Sequence, residues 1–395
     1  MTTKHSLGAL VTEGKTKKVY KIKGGSDLVA VISKDDITAG DGAKHDIIPD
    51  KGRIATATTS NVFRLLKACG LPVAFIEQDS ETSFVAPNCS MLPYEVVVRR
   101  EAHGSYLKRN PHLSKGQLFP HALVEFYLKT KDKNWKGKPL VADDPFMQLT
   151  DDGKQIRLFN PAKPLQGQEP FLVLPVSDVF SSADESKMFP EMQRVARQTF
   201  LVLEKTWQLE GGAYIDKQVY REGGALEDVA AKYRHVAEVT GHFHVPRQRI
   251  ILWRGSDKDK TEAFSEALGE LKDMMTVVTC SIHKEPVRGA ATLHRMLQEV
   301  PDTVVIAFIG RSNGAGPVLS ALSAAPVITV PASVKDFPED VWSSLRAPSS
   351  TPVMTVLEPS NAVLAALQIL SGRNPRLYAK VRGEIESRTV NTIQL

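Results

Sequence analysis

The chain reads as an α/β protein of two domains, an α+β domain followed by a three-layer αβα domain built around a parallel sheet. Three observations predict this. Its 395 residues exceed what one hydrophobic core usually organises and suit two. A hydrophobic fraction of 42% and a charged fraction of 24% are those of a folded globular chain. From Arg249 onward, short apolar runs alternate with helical stretches and polar loops, the pattern of parallel strands covered on both faces.

In the first domain, residues 9–22 and 28–33 alternate as antiparallel strands do, and 55–68 carries a helical period. Residues 84–85 and 95–99 read as strands. A long helix is expected over 188–209, where Met192, Val195, Thr199, Val202 and Leu203 fall near helical spacing. Residues 132–168 are polar and proline-rich with little periodicity, and a surface excursion is expected there. Residues 239–248 have no period of their own and include Pro246, so they are the expected linker. This divides a domain over 1–238 from one over 249–395.

The second domain runs strand 250–253, helix 262–272, strand 276–279, helix 287–300 and strand 304–309. A short helix, a strand at 327–330, a helix at 341–345, and the pair 353–357 and 362–370 complete the series. Ligands in such sheets lie beyond the carboxyl ends of the strands. The loops after the first three strands carry Gly or Ser, so they are expected to converge on one pocket.

Charge and cysteine content narrow the function classes. A net charge of +5 over this length suits an enzyme of anionic metabolites, and the Lys and Arg are too dispersed among acids for a nucleic-acid surface. Cys69, Cys89 and Cys280 are too few and too scattered for a disulfide framework or a zinc site. No apolar run resembles a signal peptide, and none approaches the ~20 apolar residues of a membrane span. A soluble, cytoplasmic protein in a reducing compartment is expected, with no membrane partner.

Several motifs could carry chemistry. In Glu13-Gly14-Lys15-Thr16-Lys17-Lys18-Val19-Tyr20, a glycine turn beside lysines can close over phosphates, although a solvated basic hairpin is the commoner use of such a segment. Arg99 and Arg100 end a strand before Gly104 and Ser105, with Lys108 and Arg109 following. Four cations around that turn would cradle a carboxylate or phosphate, and a charged helix start is an equal alternative. Asp35, Asp36 and Asp41 offer oxygen ligands for Mg²⁺, with turn capping the commoner role. In the second domain, Gly255–Asp259 and 310–317 each lead from a strand into a helix, a place where free N–H groups bind anions. His283 lies between them on a loop and, as an imidazole, is a candidate acid/base group.

Taken in order, these motifs, with Asp216-Lys217-Gln218-Val219-Tyr220-Arg221, resemble those of phosphoribosylaminoimidazole-succinocarboxamide (SAICAR) synthase. Those around Gly255, His283 and Gly310, with the run Asp340-Val341-Trp342-Ser343-Ser344-Leu345-Arg346, resemble phosphoribosylaminoimidazole (AIR) carboxylase. Their order and fusion are similar to the bifunctional family of de novo purine synthesis. The resemblance implies a SAICAR-synthase-like domain followed by an AIR-carboxylase-like one. It implies carboxylation of aminoimidazole ribonucleotide by CO₂ without a cofactor, with His283 moving the proton at C4. Ser256, Asp259, Ser281, Lys284, Arg311, Ser312 and Gly316 would complete the carboxylase pocket. The synthase half would use ATP and Mg²⁺ to activate the new carboxylate for attack by aspartate. Lys15 and Lys17 would face the ATP phosphates, while Arg99, Arg100, Ser105, Lys217 and Arg221 would hold the nucleotide or aspartate. The metal ligands are left unassigned. A homo-octamer assembled through the second domain is also implied.

The chain departs from the family pattern in three places. Where the family carries a strand pair with acidic residues, Trp207-Gln208-Leu209-Glu210 run directly into Gly211 and Gly212. An unpaired sheet edge and fewer metal ligands are therefore expected in the synthase half. Ile282 and Glu285 stand where the family has smaller, uncharged residues, so crowding and repulsion are expected beside His283. Asp257-Lys258 are likewise larger than usual, and Pro348-Ser349-Ser350 replaces a turn ending in glycine, where a positive φ would strain serine. Besides the bifunctional enzyme, two readings stay open: a monofunctional carboxylase, and a nucleotide-binding paralogue without turnover.

Overall fold

The computed structural model describes residues 4–24, 27–39, 44–180, 183–211, 225–310 and 312–393. The chain divides into two compact units, Met1–His244 with Arg382–Leu395, and Val245–Val381.

The first unit opens with β1 (Leu7–Glu13), β2 (Lys17–Ile22) and β3 (Leu28–Ser33), then the hairpin β4 (Asp36–Ala39) and β5 (Lys44–Ile47), and helix α1 (Lys51–Ala68). β6 (Glu77–Gln78) and β7 (Ser83–Pro87) join the first three strands in an antiparallel sheet of order β1-β2-β3-β7-β6. Its core holds Val29, Phe75, Phe84 and Ala86, against which Phe63 of α1 packs. The chain continues through β8 (Tyr94–Glu101), α2 (Ser105–Arg109), β9 (Leu118–Leu128), β10 (Asn134–Trp135), β11 (Lys138–Pro139), β12 (Phe146–Leu149), β13 (Gln155–Phe159) and β14 (Leu172–Pro175). α3 (Val176–Val179), α4 (Ala183–Glu210) and α5 (Leu226–Gly241) follow. A second antiparallel sheet has the order β14-β13-β12-β9-β8, with β8 and β14 at its edges among the described residues.

One expectation fails here. Residues 132–168 are not merely an excursion: they contain β12 and β13, interior strands of the second sheet, with Met147, Ile156 and Leu158 buried in its core. The hairpin closes through Thr150, which accepts from the Gly153 amide and donates its own amide to Gln155, with Gly153 at φ 68°. Strands of four and five residues are too short to show a period, and the Asp-Gly turn between them is the better signal.

The second unit has strands β15 (Arg249–Arg254), β16 (Met275–Thr279), β17 (Thr303–Ile309), β18 (Val327–Pro331) and β19 (Met354–Thr355). All pair in parallel, in the order β16-β15-β17-β18-β19. Its helices are α6 (Glu262–Leu268), α7 (Pro286–Glu299), α8 (Ala315–Ala321), α9 (Trp342–Leu345), α10 (Pro359–Ser371) and α11 (Pro375–Ile393). The strands read as unbroken apolar runs because both faces are covered. Ile250 and Leu252 enter one core with Phe264, Ala362 and Leu377, while Ile251 and Trp253 enter another with Leu293, Met296 and Leu319. Alternate side chains point to opposite faces, which makes the three layers.

The last helix is shared between the units. α11 begins in the second unit, and its residues from Arg382 onward belong to the first.

Candidate functional site

In the second unit, three loops leave the carboxyl ends of neighbouring parallel strands. After β15, the turn at Gly255–Asp259 is closed by Asp259, whose Oδ2 accepts the Ser256 amide at 3.0 Å and the Ser256 hydroxyl at 3.4 Å. Arg254 fastens the same turn from behind. Its Nη1 donates to the Asp259 carbonyl at 3.2 Å, its Nε to Thr279 Oγ1 at 2.8 Å, and its Nη2 pairs with Asp257. After β16, the Ser281 carbonyl accepts the amides of Lys284 and Glu285, turning the chain so that His283 and Lys284 are exposed. After β17, Ser312 takes φ 37°, and Asn313 is fully buried with its amide nitrogen 2.7 Å from Ser344 Oγ.

Two close approaches bring the loops together, and a third seats the helix that follows. A Cβ placed on Gly310 would lie 3.0 Å from Asp259 Oδ1. One on Gly314 would lie 3.5 Å from Ser312 Oγ and 3.9 Å from His283 Nε2. One on Gly316 would lie 2.0 Å from Thr329 Cγ2, so this glycine lets α8 seat directly on β18. The structure thus places Asp259 beside Gly310 and both His283 and Ser312 beside Gly314, with Ser256 bonded to Asp259. Arg311 lies outside the described residues.

Two departures from the family pattern resolve differently than expected. Ile282 does not crowd His283: it is 2% exposed, belongs to the core with Trp253 and Leu293, and fills the space over Gly289, where a Cβ would lie 3.0 Å from its Cδ1. Glu285 pairs with Arg288 at 2.6 Å, which offsets its charge beside the loop. Ser350 is as expected, at φ 64°.

In the first unit, the β1–β2 turn is closed by the Gly14 amide donating to the Lys17 carbonyl at 2.9 Å. Glu13 is engaged by Lys34 at 2.9 Å and Lys18 at 3.5 Å, while Lys15 is exposed. Lys17 stands beside the Phe84 ring, 5.4 Å from its centre, and burial pushes its ammonium below the usual lysine range. A half-buried cation next to a glycine turn suits a phosphate group.

The expected cradle of four cations does not form, because adjacent strand residues point to opposite faces. Arg99 donates to Glu125 at 2.6 Å. Arg109, fully buried, reaches the other oxygen of Glu125 at 2.6 Å and lies among the rings of Tyr106, Tyr127 and Phe146. Burial and the Glu125 charge push the Tyr127 phenol up to about 12. Arg100 faces the other way, held by Glu204 of α4 at 2.7 Å and Glu386 of α11 at 2.9 Å. Ser105 is exposed at the start of α2, after Gly104 at φ 58°. Lys217 and Arg221 lie outside the described residues.

Asp35 accepts the Gly52 amide at 2.7 Å, and Asp36 pairs with His45 at 2.8 Å and Lys34 at 3.8 Å, while Asp41 lies outside the described residues. Among the described residues no three acidic, His or Cys side chains gather as metal ligands. Asp35 and Asp36 are committed to the fold, so they do not fit a resident Mg²⁺. Arg254 and Asn313 escaped notice in the sequence, since a strand-end arginine and an asparagine in a glycine loop have many ordinary uses.

Comparison with known proteins agrees with these two halves. Residues 10–150 match the family model for SAICAR synthetase, and residues 249–390 that for AIR carboxylase. The probable multifunctional protein ADE2 of Caenorhabditis elegans is 34% identical over 395 aligned residues, covering 94% of this chain and 92% of its own. The bifunctional phosphoribosylaminoimidazole carboxylase/phosphoribosylaminoimidazole succinocarboxamide synthetase of Homo sapiens is 32% identical over 403, covering 96% and 94%. The phosphoribosylaminoimidazole-succinocarboxamide synthase of Chloroflexus aurantiacus is 34% identical over 261, covering 60% of this chain and 98% of its own. That last alignment is longer than the stretch of this chain it covers, so gaps fall in this chain. With a likeness to two-domain relatives that runs nearly end to end through both, the chain belongs to the family of bifunctional AIR carboxylase/SAICAR synthetases.

Proposed function

We propose that the second unit carboxylates aminoimidazole ribonucleotide with CO₂ and that the first unit joins the product to aspartate at the expense of ATP. The observation that carries this reading is the approach of His283, Asp259 and Ser312 to the glycines of one loop after a parallel strand, in a chain that is similar to bifunctional relatives over nearly its whole length.

In the carboxylase unit, the Gly255–Asp259 turn and the loop at 310–316 hold the ribose phosphate. The Ser256 and Ser312 hydroxyls and loop amides donate to the phosphate, and Asp259 accepts from ribose hydroxyls while fixing the turn. Ser281, Lys284, Arg311 and Gly316 complete this pocket. C4 of the imidazole attacks CO₂, a carbon–carbon bond forms, and the C4 proton passes to a ring nitrogen of His283. In the synthase unit, Lys15 and Lys17 would neutralise the ATP phosphates; ATP would give its terminal phosphoryl group to the new carboxylate, leaving ADP, and the aspartate amine would then displace phosphate to form the amide. Arg99, with Ser105, Lys217 and Arg221, holds the anionic partner; Arg100 reaches it only by giving up its own carboxylates. No step is assigned to a metal.

Assembly through the second unit accords with its exposed apolar side chains. Val318, Leu322, Trp342, Leu345 and Met354 are all more than a third exposed, and they lie on elements tied together by Asn313–Ser344 and Ser320–Pro352 bonds. A homo-octamer built on this unit is the state we propose. Three cysteines scattered along the chain suit a reducing, cytoplasmic setting, and no described helix is long and apolar enough to cross a membrane.

The test supplies the purified chain with aminoimidazole ribonucleotide, bicarbonate, aspartate and MgATP. Carboxylation is followed by absorbance and the succinocarboxamide by mass spectrometry. Both products are expected. Carboxylation alone would make this a monofunctional carboxylase, and neither product would leave a binding protein.

A further inference from the structure

The first unit is completed by residues that the chain reaches only after passing through the second. The cause lies in the pairing of β8 with β9. Register is regular from Tyr94↔Leu128 to Arg99↔Leu123, then shifts, and the next pair is Glu101↔Leu118. This bulge leaves the amide of Ala122, a fully buried residue, without a strand partner. A buried N–H cannot stay unpaired without a cost comparable to a lost hydrogen bond.

Its partner comes from α11. Glu386, 1% exposed, accepts the Ala122 amide on Oε2 at 2.9 Å. Its Oε1 accepts from Arg100 Nη2 at 2.9 Å and from Arg382 Nε at 2.8 Å. Arg382 in turn donates to the carbonyl of Pro120, inside the same bulge. The segment therefore supplies both the acceptor and a donor that the irregular edge lacks. Arg100 is shared between Glu386 and Glu204 of α4. A carboxylate so buried persists only when fully paired.

We propose that Glu386 is a positioning residue of the first unit. It holds the β8–β9 bulge and Arg100 in place and so sets the strand from which Arg99 faces Glu125. The activity arm of the test rests on the reading of that unit as a synthase, whereas the exchange arm does not.

The test compares the full-length chain with its Glu386→Ala and Glu386→Gln variants. Hydrogen–deuterium exchange over residues 118–123 should be about tenfold faster in Glu386→Ala, with residues 303–309 of the second unit unchanged. Glu386→Gln keeps an acceptor for Ala122 but no charge, so it should fall between the two. It carries the comparison if the alanine variant does not fold. With carboxylated aminoimidazole ribonucleotide, aspartate and MgATP supplied, the synthase kcat should drop about tenfold in the alanine variant. Carboxylation should stay within about twofold of wild type. Unchanged exchange at 118–123 in both variants, or an equal rise in both units, would overturn the proposal. A wild-type chain without synthase activity would instead count against the functional reading, with the exchange result still deciding the role of Glu386.

Discussion

His283 owes its place to a local turn: the Ser281 carbonyl accepts two successive amides, and the imidazole is carried out beside the Gly310–Gly314 loop. Replacing it by asparagine keeps the size and removes the proton acceptor. Carboxylation in the His283→Asn variant should fall roughly 10²–10⁴-fold with little change in KM for the nucleotide, as continuous absorbance would record. Ser350 poses a different question at the same scale. Its φ of 64° favours glycine, so Ser350→Gly should raise stability by about 0.5–1 kcal/mol, visible as a higher melting temperature for the second unit. The sequence pointed to that strain because a turn type dictates its residue. It misled at Ile282, because side-chain direction at a loop residue depends on a partner, Gly289, that lies on the following helix.

Elements differ in how openly they declare themselves. The continuous apolar runs of β15 and β17 announced a covered parallel sheet, and α4 showed its helical period. β12 and β13 did not, being four and five residues long. β8 was recognised as a strand, yet Arg99 and Arg100 were read as one cradle, although alternation sends them to Glu125 and to Glu204 with Glu386 respectively. The contact of α8 with β18 is equally specific. Gly316→Ala would drive a methyl to 2.0 Å from Thr329 Cγ2, and the helix would have to shift. A loss of about 1–3 kcal/mol in the second unit, measured by denaturant unfolding, is expected, with weaker nucleotide binding because Ser312 and Gly314 lie on the same loop.

At the scale of the whole molecule, the Glu386 cluster makes a prediction about acid. Burial raises its carboxyl, but the Ala122 amide, Arg100 and Arg382 outweigh burial and hold it below its ordinary value of 4.5. A depressed folded pKa means that its contribution is complete above the unfolded value and is lost as pH falls through the lower folded one. Glu204 faces the same arginine and shares the load. The Glu386→Gln variant should be less stable than wild type at neutral pH. That gap should narrow below about pH 5, as acid unfolding followed by circular dichroism would show.

The sequence by itself determined the two-domain α/β plan, the carboxylase loops and the family, because these rest on local pattern and on motifs contiguous in the chain. Only the tertiary structure decided which charges remain available and which are committed to the fold. Arg100, Arg109 and Asp35 all look like site residues until their partners are seen, and those partners lie far along the chain or on another element. Ion pairs and buried amides are satisfied by whatever group comes within reach, and reach is a property of the fold. For the same reason nothing in residues 382–395 read alone assigns them to the first unit, where a bulge in β8–β9 calls for Glu386.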